Sequence, residues 1–453
     1  MSASRVPEPE AVAERVLHGR AFESVVWGMP AVNFELMYQA MVRETGGAFN
    51  QIVYWSGLPD WKNQTLSPNP DSVYLMAFID TKDVGAVVLE IPPAGDGSIT
   101  GTVMGCWQTP IEDVGPAGVD EGEGGKYLVL PPGHVDELPD GYIPMPSDTY
   151  SGFALLRSIP RGGSERDVAR AVAYGRRIRL YALAEANQPP PTVFLDAIDV
   201  VFDATIPYDR RFFESLDRMI QREPWLTRDK AMIDIVKSVG IVKGKPFEPN
   251  ARTQAMLDKA AGEAHAWLDA RFETIFSSAF YEGSRWAVPV SRDMIVGQQT
   301  FFADPDSYPV DDRGVSYSMA FFSPKHSGAG SFYLMAIKDA DGLPFEGARA
   351  YRLTVPPDAP VTQYWSATIY DRATHALIRD MQRSSVSSQS PGVLRNADGS
   401  VDVYFAPQPP AGQANNWVPT NRAGEFEVLF RFYAPEQPVF DKTWRLPDIE
   451  KQT

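Results

Sequence analysis

Tyr74-Leu75-Met76-Ala77-Phe78-Ile79-Asp80 is the stretch that decides the fold, because it returns near the other end of the chain as Tyr333-Leu334-Met335-Ala336-Ile337-Lys338-Asp339. In each copy a second apolar segment follows and ends in a double proline. These segments are Leu89-Glu90-Ile91-Pro92-Pro93 and Leu353-Thr354-Val355-Pro356-Pro357. Matches in the same order indicate an internal repeat, which constrains the fold more strongly than a single motif does.

Two further matches keep this order. The spacing Trp-x3-Ile-x-Asp occurs in both copies, as Trp107, Ile111 and Asp113 and again as Trp365, Ile369 and Asp371. The segments Leu155-Leu156-Arg157 and Leu429-Phe430-Arg431 form a fourth match, which is weak on its own. The matched segments are short, rich in β-branched or aromatic residues and bounded by Gly, Pro or Asp, which is typical of strands.

The repeated unit predicts two similar β domains. Helical crossovers are missing between the strands of each copy, which favours an antiparallel sandwich or barrel over a parallel sheet. We expect an α+β, mostly β fold with two duplicated antiparallel β-sandwich, jelly-roll-like domains and a helical block between them. The expected segments are N-terminal helices at 1–44, a first β domain at 45–160, a helical block at 161–290 and a second β domain at 291–453. A cleft between two such domains is a common place for a ligand.

Apolar spacing and turn residues also give local expectations. Two short helices are expected before residue 44, because Pro30 interrupts the helical pattern. One helix is expected to open at Ser164 and run through Asn187, and another to run from Asn250 to Gly283. Strand patterns in the second copy are expected to begin at 316–322.

Composition limits the classes of function. The formal charge of −16 and the pI near 4.9 repel phosphate backbones and anionic lipids, so we expect neither nucleic acid nor membrane as a partner. The sequence contains no run of 18 uncharged apolar residues, so no membrane span is predicted. A cytoplasmic location is expected because no signal-peptide pattern opens the sequence. Cys106 is the single cysteine, which excludes an internal disulfide.

Two groups of residues resemble a known pair of families. The segment Pro68-Asn69-Pro70-Asp71-Ser72-Val73-Tyr74 resembles the Asn-x-Asp-Thr-x-Tyr signature of domain-of-unknown-function family 1254, with Ser72 where Thr is usual. The runs Asn416–Thr420, Phe430–Pro435 and Trp444–Pro447 are similar to family 1214. The resemblance implies a bacterial-type protein with β-sandwich domains and no established cofactor. Many relatives are exported, whereas no export signal is recognised in this sequence, so their location is not carried over.

The signature segment supplies the first candidate site. Asp71 is a candidate general acid or base, with Tyr74 as proton donor or orienting group and Asn69 as a substrate-binding amide. These residues stand just before a strand, where loop side chains project into clefts. The alternative interpretation is that Asp71 and Ser72 satisfy backbone groups of the turn.

A second set of candidates stands beside the repeated tryptophans. Glu112 is a candidate for proton transfer next to Trp107, whereas the repeated Asp113 is interpreted as a turn acid. His326 is the best-placed acid/base histidine. Aromatic side chains suited to substrate packing are Trp107, Trp365 and Trp417. The five histidines form no His-x-His or His-x-x-x-His pair, so no metal site and no cofactor are predicted.

These residues predict a cofactor-independent enzyme, a hydrolase or lyase, that acts by acid/base catalysis on a neutral or hydrophobic small molecule in the inter-domain cleft. The competing hypothesis is a non-catalytic β-sandwich module that binds carbohydrate or a protein partner. A third, a metal-dependent oxygenase, requires distant histidines and carboxylates to converge. The sequence leaves a homo-oligomer open.

Overall fold

The computed structural model describes residues 8–320, 324–326 and 330–452. The helices in these ranges are α1 (Pro9–Thr45), α2 (Glu165–Gly175), α3 (Arg210–Arg222), α4 (Met232–Ser238), α5 (Ala251–Ile275), α6 (Arg292–Gln299), α7 (Val310–Met319) and α8 (Gln437–Phe440). Among these helices, none is both long and apolar enough to cross a membrane.

The strands of the first half are β1 (Gln51–Tyr54), β2 (Asn63–Gln64), β3 (Val73–Asp80), β4 (Val87–Ile91), β5 (Ile99–Gly105), β6 (Pro110–Val114), β7 (Gly125–Leu130), β8 (Ile143–Pro146), β9 (Ser151–Ser158), β10 (Arg179–Ala182), β11 (Phe194–Asp196) and β12 (Phe202–Asp203). Those of the second half are β13 (Ser331–Ala336), β14 (Phe345–Glu346), β15 (Tyr351–Val355), β16 (Val361–Asp371), β17 (Ser385–Ser387), β18 (Val401–Ala406), β19 (Trp417–Pro419), β20 (Glu425–Pro435) and β21 (Glu450–Lys451).

The sheets confirm the duplication that the sequence predicts. The first domain pairs its strands in the order β11-β1-β3-β9-β5-β6 and, in a second sheet, β10-β4-β7-β8. The second domain has the orders β13-β20-β16-β17 and β19-β18-β15-β21. The antiparallel trio β3-β9-β5 thus corresponds to β13-β20-β16, and β4-β7-β8 corresponds to β15-β18-β19. In both copies the final pair of the second sheet, β7-β8 and β18-β19, is parallel.

Strand β3 shows why the repeated segment is so apolar. Because alternate residues point to opposite faces of a sheet, Leu75, Ala77 and Ile79 enter the core of the first sandwich. The other face, Tyr74, Met76 and Phe78, packs into a larger core that α1 and the other helices share with both domains. Both faces are therefore covered, and every residue of β3 is buried. In the second copy Leu334 and Ala336 enter the sandwich core, while Met335 enters the shared core.

Helix α1 corrects the expectation of two short helices. It runs unbroken from Pro9 to Thr45 with Pro30 inside it, although proline removes one backbone hydrogen bond from the helix. Tertiary packing compensates, since residues 24–35 are all buried among the other elements. A Cβ atom on Gly314 of α7 would lie 2.9 Å from the Val26 carbonyl oxygen, so α7 packs directly over this turn. The Pro30 carbonyl in turn accepts a hydrogen bond of 2.9 Å from the Gln108 amide.

Other local expectations were wrong in extent or type. Helix α2 ends at Gly175 instead of continuing to Asn187, because Arg179–Ala182 pairs with β4 as an edge strand. Helix α5 ends at Ile275 rather than Gly283. The expected strand at 316–322 is helical through Met319, and residues 321 and 322 lie outside the described residues.

Candidate functional site

A cavity of about 130 Å³ lies between the two β domains. Strands β3 and β9 supply one wall, β13 and β20 supply another, and α6 and α7 cover it. The lining is predominantly apolar and includes Leu66, Val288, Val290, Ile295, Met319, Phe332, Met335 and Leu429. Its volume is close to that of an engineered apolar cavity that binds benzene, about 150 Å³, so it suits a molecule of one-ring size.

Two tyrosine–arginine pairs form the polar part of the lining, one from each repeat. Tyr74 of β3 stands opposite Arg157 of β9, and Tyr333 of β13 stands opposite Arg431 of β20. The Arg157 guanidinium carbon lies 5.5 Å from the centre of the Tyr74 ring, and that of Arg431 lies 5.6 Å from the centre of the Tyr333 ring. The duplication therefore brings the same chemical pair to the cavity twice.

Both arginines are buried charges. Arg157 is 9% exposed and Arg431 is 2% exposed. Burial opposes the charged form, but the surrounding tyrosines more than offset this effect and raise the pKa of both arginines. Both guanidinium groups therefore stay positively charged at the cavity wall.

The hydrogen bonds of Arg431 fix it in place. Its Nη1 donates to the Thr368 hydroxyl at 2.9 Å, and its Nη2 donates to the carbonyl oxygens of Ser67 and Pro68 at 3.0 and 3.2 Å. Nη2 also contacts the Tyr370 hydroxyl, which donates to the Pro68 carbonyl at 2.6 Å. These acceptors are neutral oxygens, so they orient the guanidinium without cancelling its charge.

The signature segment holds the first domain against the second. The Asn69 side-chain amide, 1% exposed, lies within hydrogen-bond distance of the Tyr433 hydroxyl at 2.6 Å, the Tyr364 hydroxyl at 3.1 Å and the Ser72 hydroxyl at 2.8 Å. The Asn69 backbone N–H donates to the Tyr74 hydroxyl oxygen at 2.9 Å. Asn69 therefore does two things: it joins the domains and it positions the phenol of Tyr74 beside the cavity.

Asp71 faces a different opening. It lines a polar cleft of about 300 Å³ together with Arg383 and Ser385. The Ser385 hydroxyl lies 2.9 and 3.1 Å from its two carboxylate oxygens, while the Asp71 backbone N–H donates to Asn69 Oδ1. Burial raises the pKa of Asp71 despite this hydrogen bond and the nearby guanidinium groups. The structure therefore places Asp71 and Tyr74, which are neighbours in sequence, at different openings.

Glu112 and His326 meet across the domain boundary. A ring nitrogen of His326 lies 3.0 Å from Glu112 Oε1, and Lys325 Nζ lies 2.6 Å from Glu112 Oε2. The backbone N–H groups of both Lys325 and His326 donate to Asp113. His326 lines a groove of about 50 Å³ that shares Arg157, Pro324 and Ser331 with the cavity. The two candidates therefore lie beside the groove that adjoins the cavity.

The three tryptophans assigned to substrate packing lie elsewhere. Trp107 packs on Trp27 with ring centres 4.7 Å apart, and Trp365 stacks on Phe430 at 5.5 Å in the core of the second sandwich. Trp417 donates its indole N–H to the Ala406 carbonyl at 2.7 Å. None of the three lines the cavity.

Arg157, Arg431 and Tyr333 are the cavity residues that sequence reasoning did not select. Their signal was available, because Arg157 and Arg431 end the fourth repeat match and Tyr333 is the repeat partner of Tyr74. Within the described parts of the chain, no group of three or more His, Cys, Asp or Glu residues could hold a metal ion.

The fold and the cavity define a duplicated β-sandwich protein in which two sheets and a helical layer surround an inter-domain cavity. Residues 49–182 match the family described as protein of unknown function DUF1254, and residues 330–437 match the one described as protein of unknown function DUF1214. The chain therefore pairs a DUF1254 domain with a DUF1214 domain, in the order that the sequence signatures indicated.

One solved structure supports the fold. The VPA0106 protein from Vibrio parahaemolyticus is 15% identical, with a TM-score of 0.59 over 96% of this chain and 100% of that chain. An uncharacterized protein from Burkholderia cenocepacia is 11% identical, with a TM-score of 0.41 over 98% of this chain and 95% of that chain. No curated protein matches the sequence.

Proposed function

We propose that the protein is a cofactor-independent enzyme, a hydrolase or lyase, that acts by acid/base catalysis on a small hydrophobic molecule in the inter-domain cavity. The observation that carries the proposal is the duplicated tyrosine–arginine pair on the wall of an apolar cavity. A phenol can donate or accept a proton within hydrogen-bond reach of a bound molecule. A guanidinium in a site that excludes water stabilises negative charge that develops during the reaction.

Tyr74 is our candidate for proton transfer. Its hydroxyl oxygen accepts a hydrogen bond from the Asn69 backbone and lies 3.4 Å from Arg157 Nε. In the second repeat the Ser331 hydroxyl lies 2.9 Å from the Tyr333 hydroxyl, which gives that phenol a fixed partner as well. His326 and Glu112 act at the adjoining groove in this proposal, while Asp71 supports the domain junction. The proposal includes the cytoplasmic location expected from the sequence.

A non-catalytic binding protein is the second candidate. The observation that favours it is that the carboxylates of Asp71 and Glu112 lie outside the cavity, where neither can take a proton from a molecule bound there. A binding protein would use the same apolar walls and the same arginines. The two candidates differ in whether a bound molecule is converted.

Turnover decides between them. We would incubate the full-length protein with a library of small esters, amides and β-hydroxy acids and follow their depletion by mass spectrometry. The enzyme proposal expects at least one compound to be consumed and Tyr74→Phe to slow that reaction about 10²- to 10⁴-fold. Tyr404→Phe, on a strand remote from the cavity lining, is the matched control and should react at the wild-type rate.

Equal rates for wild-type, Tyr74→Phe and Tyr333→Phe proteins would contradict the proposed role of the phenols. Saturable binding of library members without depletion of any of them would establish the binding protein instead.

A further inference from the structure

We infer that the cavity recognises a small carboxylate with an apolar body, whose negative charge lies in the field of Arg157 and Arg431. This inference rests on the proposed function, because it names the substrate class of the same cavity. It also replaces the expectation of a neutral molecule, since a neutral ligand brings no negative charge to the buried guanidinium of Arg431.

The charge of the cavity wall is the first argument. Among the described residues, the lining contains two arginines and neither Asp nor Glu. Taking a cation out of water is costly unless an anion or several oriented dipoles replace the water. Carbonyl and hydroxyl oxygens supply the dipoles around Arg431, but its full positive charge remains. A ligand that brings one negative charge completes this arrangement.

Asp71 is an acidic residue that interacts electrostatically with Arg431, so it is a competing counter-ion. Its carboxylate is engaged by the Ser385 hydroxyl and lines the cleft rather than the cavity. No ion pair within 4.0 Å joins Arg431 to an acidic side chain in the described ranges. The anion position inside the cavity is therefore left to a ligand.

The size and composition of the lining give the rest of the ligand. The apolar side chains of the lining and a volume of about 130 Å³ accommodate one ring or a short alkyl chain. Arg157 and Ser331 line both the cavity and the adjoining groove of about 50 Å³, which places a polar head near the junction of the two spaces. A carboxylate matches the planar donor geometry of a guanidinium. A phosphoryl group can make similar contacts, but it is bulkier and suits the small cavity less well.

Paired probes test the inference on the wild-type protein. Benzoate and benzamide have nearly the same shape and differ in charge, so calorimetric titration of the full-length chain with each isolates the contribution of the charge. We expect benzoate to bind at least about tenfold more tightly. Equal affinities, tighter binding of benzamide, or binding of neither probe would overturn the inference. Tighter binding of phenylphosphonate than of benzoate would overturn the carboxylate assignment as well.

Variants locate the binding. Arg431→Gln should remove the preference for benzoate, and the exposed Arg395→Gln is its matched control. Ala320→Phe, in the cavity lining, should abolish binding of benzoate, whereas Ala340→Phe at an exposed turn should leave it unchanged. Wild-type affinity of Ala320→Phe for benzoate would refute the cavity as the benzoate-binding site. If Arg431→Gln does not fold, the benzoate–benzamide ratio of the wild type still decides.

The two proposals can fail separately. Loss of the benzoate preference leaves the turnover test of Tyr74→Phe as it stands. Benzoate binding with wild-type turnover in Tyr74→Phe and Tyr333→Phe supports the carboxylate and removes the catalytic role of the phenols.

Discussion

Replacing Asn69 by alanine tests whether the signature segment holds the two domains together. The side chain is 1% exposed and its amide lies near three hydroxyl groups, two of which belong to Tyr364 and Tyr433 of the second domain. Its carbonyl oxygen also accepts a hydrogen bond from the Asp71 backbone at 3.0 Å. An amide has two protons, so two of the three donor contacts are made at full strength, and with the carbonyl contact the variant loses three hydrogen bonds.

At about 1 kcal/mol for each hydrogen bond, Asn69→Ala should lower the free energy of unfolding by about 3 kcal/mol. Urea titration followed by tryptophan fluorescence and circular dichroism measures this change. Asn187→Ala, at an exposed turn, is the matched control and should change stability by less than about 0.5 kcal/mol. An Asn69→Ala effect no larger than that of the control would refute the clamp.

Three further predictions concern the sequence-derived candidates. Trp365→Ala should lower the free energy of unfolding by about 3–5 kcal/mol, because Trp365 is a buried core residue. Under conditions in which the variant is folded, its measured affinity for benzoate should equal that of the wild type. Burial raises the pKa of Asp71 above 3.8, so the stability that the protonated carboxyl contributes is lost as pH rises through the raised pKa. The stability of Asp71→Asn relative to the wild type should therefore increase between about pH 4 and about pH 7, and urea titration at both pH values measures it. Desolvation opposes ionisation of Glu112, but hydrogen bonds from Lys325 and the Asp113 backbone outweigh it and hold the pKa of Glu112 below 4.5. Glu112→Gln should therefore destabilise the protein above pH 4.5, and the effect should vanish as pH falls through the lowered pKa. Thermal unfolding measured above and below pH 4.5 tests this.

The strands of the repeat were predictable because their pattern is local. Strand β3 contains the whole repeated segment of the first copy, and β13 contains the first four residues of the second copy, Tyr333 to Ala336. Helix α7 was not predictable in the same way. Val315, Tyr317 and Met319 alternate with serines as in a strand, but all residues from Arg313 to Met319 are buried in a helix. A helix that is covered on every side has no exposed face, so the periodicity that would identify it is absent.

The candidate site was predictable in part for a related reason. Tyr74 lies in the cavity lining, although it stands within β3 and not before a strand. Glu112 and His326 were chosen separately but lie in contact. The arginines were missed because each stands in an apolar strand and acquires its partner only through sheet pairing. The tryptophans were chosen for their size, which serves equally well to fill a core.

A crystal structure of the full-length protein with saturating benzoate tests the central claim most directly. The account predicts density for the ring in the inter-domain cavity and carboxylate oxygens within hydrogen-bond distance of Arg157 or Arg431. A cavity that stays empty of benzoate, or a benzoate whose carboxylate points away from both arginines, would contradict it.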